Sequence, residues 1–188
     1  MKRILIIVVI FISAVSIHAA SFDGSLIVSP NWTHSSTGVT TVAETFSTLL
    51  LWNFTSGTNA HQMNQLWRKR SSVIASGTNQ IDIAGGITNA FGEALNMSEV
   101  RMMIFSMATN QLNNISIGAA ASTPFSTWLG DASDKVVMRP GGFFLLTAPD
   151  ATAYAVSTNS VTTNSLIRIT NEGTNTITYD VYIGASSE

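Results

Sequence analysis

The chain of 188 residues contains no cysteine. That absence excludes disulfides, thiolate metal sites and cysteine nucleophiles, so stability must come from packing or assembly. Charge is also scarce: nine Lys and Arg and eleven Asp and Glu make up 11% of the residues. With Ser, Thr, Asn and Gly abundant, such a surface fits β-structure better than helical bundles laced with Glu and Lys pairs. The histidines number three, and none has a second ligand at metal spacing. No Gly-rich loop precedes a Lys in a strand-to-helix setting, and no serine occupies a nucleophile elbow. The expectation is a protein without catalysis, cofactor or metal. Only dispersed carboxylates, which a fold can bring together as in a glycosidase, keep an exported hydrolase open.

The first 21 residues, MKRILIIVVIFISAVSIHAAS, place Lys2 and Arg3 before an apolar run from Ile4 to Ile17, followed by the small residues Ala19, Ala20 and Ser21. This is the layout of a secretory signal peptide. The run is shorter than the roughly 20 residues that span a bilayer as a helix, which favours a cleaved segment (1–21) over a short hydrophobic anchor. Its removal takes the formal net charge from −2 to −4. A mildly acidic chain has no electrostatic case for nucleic acid.

Beyond residue 71, short β-branched and aromatic segments recur between clusters of Gly, Asn, Ser and Thr, the rhythm of an antiparallel sandwich or barrel. Strands are expected at Ser72–Ala75, Gln80–Ile83, Glu99–Met107, Asn114–Ile117, Lys135–Arg139, Phe143–Thr147, Ala153–Ser157, Ser165–Thr170 and Thr176–Ile183. The organisation read from this is a single all-β, jelly-roll-like antiparallel β-sandwich at 49–188, preceded by an N-terminal arm or first strands at 22–48. Residues 25–29 and 46–54 have strand character, 30–43 read as an extended connection, and 59–70 as a loop or a single helical turn. Two hairpins are expected, one closed by Pro140-Gly141-Gly142 and one by Asn171–Asn175. In the second, Ile177, Tyr179, Val181 and Ile183 form a core face opposite the wetter Thr178, Asp180 and Tyr182.

Two regions break this alternation. Along Glu99–Met107, Val100, Met102 and Ile104 oppose Met103, Phe105 and Met107, so neither face is polar; Val137, Phe143, Phe144, Leu145 and Leu146 behave alike. A strand apolar on both faces must be covered on both, here by the region before residue 71 or by another subunit. Met103, Phe105, Met107, Val137 and Phe143–Leu146 are therefore the candidate core or subunit-interface residues. Candidates for surface binding are Arg68-Lys69-Arg70, the only basic cluster, together with Trp67 and Trp128. Trp32, Trp52, Trp67 and Trp128 read either as packing anchors or as a sugar-stacking platform. His34 and His61 read as exposed loop residues.

The order of certain pieces carries a resemblance: Gly57-Thr58 with Asn59-Ala60-His61-Gln62; Ile81-Asp82-Ile83 followed by Ile87, Phe91 and Gly92; Pro140-Gly141-Gly142 with its Phe-Leu run; Ala148-Pro149-Asp150; and Tyr179-Asp180 ahead of Gly184. From about Leu49 to Ser186 the chain resembles a family of small structural proteins encoded by tailed bacteriophages and prophages. The resemblance implies a virion-associated β-sandwich (capsid decoration, head, tail or fibre) that assembles with itself and with other virion proteins. Two features depart from that pattern: Ala153 stands where Gly is expected, and the signal-like segment is an addition that implies export to the periplasm or beyond. The alternative is an exported bacterial surface domain that binds a glycan or surface polymer, touching a membrane only if the N-terminal segment stays uncleaved.

Overall fold

The computed structural model describes residues 6–12, 23–36, 42–47, 49–159 and 162–187, with the backbone alone described in 6–12, 30–36, 42–47, 157–159 and 162–163. The described residues hold no helix. In chain order the strands are β1 (Ile6–Ile12), β2 (Asp23–Ser36), β3 (Val42–Ser47), β4 (Leu50–Thr55), β5 (Gln65–Val73), β6 (Thr78–Asp82), β7 (Ala84–Thr88), β8 (Ala94–Asn96) and β9 (Glu99–Met107). They continue with β10 (Ile115–Gly118), β11 (Lys135–Met138), β12 (Phe143–Thr147), β13 (Tyr154–Ala155), β14 (Ser157–Asn159), β15 (Thr162–Asn164), β16 (Leu166–Asn171) and β17 (Ile177–Ser186).

The fold is an all-β antiparallel sandwich. One sheet has the order β12-β9-β17-β5, with β13 added beside β9; the other has the order β11-β10-β16-β6. Their facing sides supply the main core, in which Met103, Phe105, Ile115, Ile117, Ile167, Ile169, Val181 and Ile183 are buried. A third layer lies on the opposite side of the first sheet. Leu26 of β2, Phe54 of β4 and Met63 form a second core with Met102 and Ile104 of β9, flanked by Trp52, Leu66, Leu145 and Tyr182. The strand that is apolar on both faces is thus covered on both, and its outer cover comes from the segment before residue 71. Each fully buried side chain of this size stabilises the fold by about 1.5–3 kcal/mol.

Both expected hairpins are instead crossings between sheets. β11 pairs with β10 while β12 pairs with β9, so Pro140-Gly141-Gly142 turns a corner of the sandwich. Gly142 donates its amide to the Arg139 carbonyl at 2.8 Å and Gly141 has φ +74°, the geometry of a type II turn with proline in second place. Likewise β16 pairs with β10 and β6, whereas β17 lies between β5 and β9. Alternation cannot separate the two arrangements, because a hairpin and an arch both present every second residue to the same core. Only the pairing partner differs, and it is distant in sequence. The faces of β17 follow the alternation: Ile177, Tyr179, Val181 and Ile183 are buried, and Thr178, Asp180 and Tyr182 are partly exposed.

Other elements also differ from expectation. Residues 65–73 form β5, an edge strand paired with β17 from Gln65↔Ala185 to Val73↔Ile177, in place of a loop or helical turn. Three basic residues in succession hide the alternation of Trp67 and Val73, which are its buried positions. His34 lies in β2 opposite Glu44. Residues 30–36 continue β2, while 37–41 lie outside the described residues. Of the signal-like segment, 1–5 and 13–21 also lie outside them; Ile6–Ile12 pairs antiparallel with Gly24–Pro30.

The contact between the first sheet and the third layer is tight at Gly184. A Cβ there would lie 2.5 Å from Sδ of Met63, which is itself buried. Gly184→Ala is expected to cost about 1–3 kcal/mol by overpacking. In urea denaturation that cost should shrink in a Met63→Ala background; an equal cost in both backgrounds would contradict the contact.

Candidate functional site

Two features of the molecule reach beyond ordinary core packing: a buried cation at one end of the sandwich, and apolar side chains left at its surface.

The cation is Arg101. Gly184 pairs with Met102 and Ala185 with Val100, which leaves Arg101 as the extra residue of a β-bulge in β9. A bulge re-aims side chains. Val100 joins the main core instead of following Met102 and Ile104, and Arg101 is withdrawn entirely from solvent. Its Nη2 donates to Glu99 Oε2 at 2.5 Å and to the Thr58 carbonyl at 2.8 Å, and its Nη1 donates to the Asp150 carbonyl. The guanidinium therefore clamps two loops to the sheet, 56–64 and 148–153. Backbone bonds complete the join, with the His61 amide donating to the Pro149 carbonyl at 2.7 Å and Ala148 to the Arg101 carbonyl at 2.9 Å. His61 is thus held at a loop junction through its main chain.

Asp150 organises the second loop. The Thr152 hydroxyl and the amides of Ala153 and Thr152 bond its Oδ1, holding the carboxyl below the usual Asp range. Ala153 follows with φ +44°, a left-handed conformation in which glycine is unstrained. On the outer face of the second sheet, the Ser116 hydroxyl and then Lys135 hold Glu172 below the usual Glu range.

The predicted binding and interface residues separate into three groups. Met103, Phe105 and Met107 are buried in the main core. Phe144 and Leu146 pack against that core, with the Phe144 and Trp128 rings 5.5 Å apart, and Leu145 packs against the second. Phe143 and Val137 stay at the surface, 41% and 54% exposed.

Trp67 is buried at 8% exposure, and Trp128 is half-buried with its Nε1 donating to the Phe125 carbonyl at 2.9 Å. Trp52 flanks the second core. These three tryptophans pack into the body and form no exposed row. Arg68, Lys69 and Arg70 are exposed beside Trp67 and, with Asp180 and Tyr182, line an open depression of about 370 Å³. Arg70 forms a two-pronged pair with Asp180, at 2.8 and 2.9 Å, which raises the Arg70 pKa through the hydrogen bond and the opposite charge. Among the described residues, no group of three His, Asp or Glu could hold a metal ion.

Sequence reasoning missed Arg101 because alternation assigns it a place on a regular strand. The available signal was a lone arginine inside an otherwise apolar run. No family model, curated protein or solved structure matches the chain.

Arg101→Met is expected to lower unfolding free energy by about 1–3 kcal/mol, since the Thr58 and Asp150 carbonyls lose their side-chain donor while Glu99 keeps the Ser186 hydroxyl; urea denaturation measures it. Ala153→Gly should stabilise by roughly 1 kcal/mol by relieving the left-handed strain. The Glu172 contribution is complete above the unfolded carboxyl pKa of about 4 and is lost as pH falls through the lower folded value. The stability advantage of the wild type over Ser116→Ala should therefore be larger at pH 7 than at pH 2.

Proposed function

We propose that this is a virion-associated structural protein, similar in kind to the small β-sandwich proteins of tailed phages and prophages, that acts by self-assembly and protein contacts without catalysis. The supporting observation is the apolar surface that remains after both cores are complete. Phe143 and Val137 stand exposed on either side of the Pro140 corner, and Leu49, Leu50 and Leu51 are exposed in succession at the edge of the third layer. Single exposed apolar residues are ordinary, but a run of three on an open strand edge is a surface suited to a partner.

Charge scarcity supports the same reading, because charged residues are depleted at the centres of permanent interfaces. The setting is a virion, or a site reached by export if the N-terminal segment directs it. In that setting the Arg101 clamp keeps one end of the sandwich rigid and so fixes the geometry with which neighbours meet.

Light scattering on the purified protein at micromolar concentration should give a defined multiple of the mass of the chain under study, which is 20.1 kDa for all 188 residues and lower without residues 1–21. The assembly should persist in 1 M salt, where the Debye length falls to about 3 Å and contacts between surface charges are screened. A strict monomer would overturn the reading.

A further inference from the structure

The third layer covers only part of the outer face of the first sheet. Cross-strand register sets that face out in rows: Leu145, Ile104, Tyr182 and Arg68 lie abreast in one, and Phe143, Ser106, Asp180 and Arg70 in the next. Ile104 is buried in the second core, whereas Tyr182, one strand closer to the β5 edge, only flanks it. Beyond Tyr182 the cover ends. Arg68 is exposed, and in the next row the Arg70 side chain is 74% and the Asp180 side chain 28% exposed. This corner is the open depression of about 370 Å³, and all of its lining side chains stand on the paired strands β5 and β17.

Positive charge is concentrated there. After residue 21 the chain has seven Lys and Arg residues, and three of them are Arg68, Lys69 and Arg70. Elsewhere Arg101 is paired with Glu99 and Lys135 with Glu172. Asp180 holds Arg70 through both carboxylate oxygens. Among the described residues, neither Arg68 nor Lys69 has an acidic partner at ion-pair distance. Basic residues on an edge strand also discourage strand addition, but that role requires neither Asp180 nor Tyr182.

The mixture of signs narrows the ligand. A molecule with nothing but negative charge is attracted by Arg68 and Lys69 and repelled by Asp180. Each Asp180 oxygen accepts one bond from Arg70 and keeps capacity for another donor. Tyr182 adds a ring and a phenolic oxygen that donates or accepts. The complementary molecule therefore carries a carboxylate for the planar Arg68 fork, hydroxyls that donate to Asp180, and a C–H face for the Tyr182 ring. A sugar acid combines all three.

We propose that this corner binds a saccharide bearing carboxylate groups, with Arg68 and Lys69 holding a carboxylate, Asp180 accepting from ring hydroxyls, and Arg70 positioning Asp180. This goes beyond the self-assembly reading and uses none of the apolar surface on which that reading stands, so either can fail without the other.

Isothermal titration calorimetry with tetragalacturonate, end-capped tetraglutamate of equal charge and uncharged galactotetraose tests it. The wild type should bind tetragalacturonate at least ~10-fold more tightly than either comparison ligand. Arg68→Gln/Lys69→Gln should lose at least ~10-fold of that affinity, the loss expected for hydrogen bonds between charged groups, with circular dichroism and the light-scattering mass unchanged. Asp180→Ala should abolish the preference over tetraglutamate, a ratio that a uniform loss of folded protein does not alter. Equal binding of galactotetraose would mean a site indifferent to charge, and equal binding of tetraglutamate a bare patch of charge. Either result, or no heat with tetragalacturonate at millimolar concentration, would overturn the proposal. So would a preference that survives Asp180→Ala, or an affinity unchanged in Arg68→Gln/Lys69→Gln.

Discussion

The structure depends on β9 being apolar on both faces. A strand with Met103, Phe105 and Met107 on one side and Met102 and Ile104 on the other cannot leave either side in water without losing about 1.5–3 kcal/mol for each exposed large side chain. It therefore takes a central position, paired with β17 along one edge and with β12 and β13 along the other. The second sheet covers one face and the N-terminal hairpin covers the other. Three layers follow from the composition of nine residues.

The bulge in β9 connects this packing to the loops. Without the extra residue, Val100 would share the face of Met102 and Ile104, and Arg101 would point into the main core. With it, Val100 enters that core beside the buried Ala185, and the guanidinium reaches the carbonyls of Thr58 and Asp150. A charge so thoroughly desolvated is tolerated because a carboxylate and two carbonyl oxygens accept from its terminal nitrogens, while its Nε is left without a partner among the described residues. Gly184 lies beside the bulge and admits Met63 against the sheet, so core packing, loop clamping and attachment of the third layer meet within a few residues.

The assembly reading follows from surplus. Both cores close, yet apolar residues remain at the Pro140 corner and along Leu49–Leu51, while the hairpin that completes the second core runs on for six more register pairs. The signal-like residues enter the same arrangement where Ile6–Ile12 lies beside β2. If that segment is removed on export, the β2 edge from Gly24 to Pro30 opens, which gives processing a structural consequence for the third layer.

Composition and alternation by themselves determined the all-β class, the extents of β9 and β12, the core face of β17 and the need for cover on both sides of β9. These properties are local, since a period of two and a bounding turn are visible in a few residues. Tertiary structure alone decided that Pro140-Gly141-Gly142 and Asn171–Asn175 cross between sheets, that Gln65–Val73 is a strand under a basic surface, and that Arg101 is a buried clamp. Pairing partners separated by dozens of residues, and a bulge that shifts alternation by one, leave no trace in local periodicity. The side chains obey the same rule of faces in either topology, and only the contacts between distant strands select one.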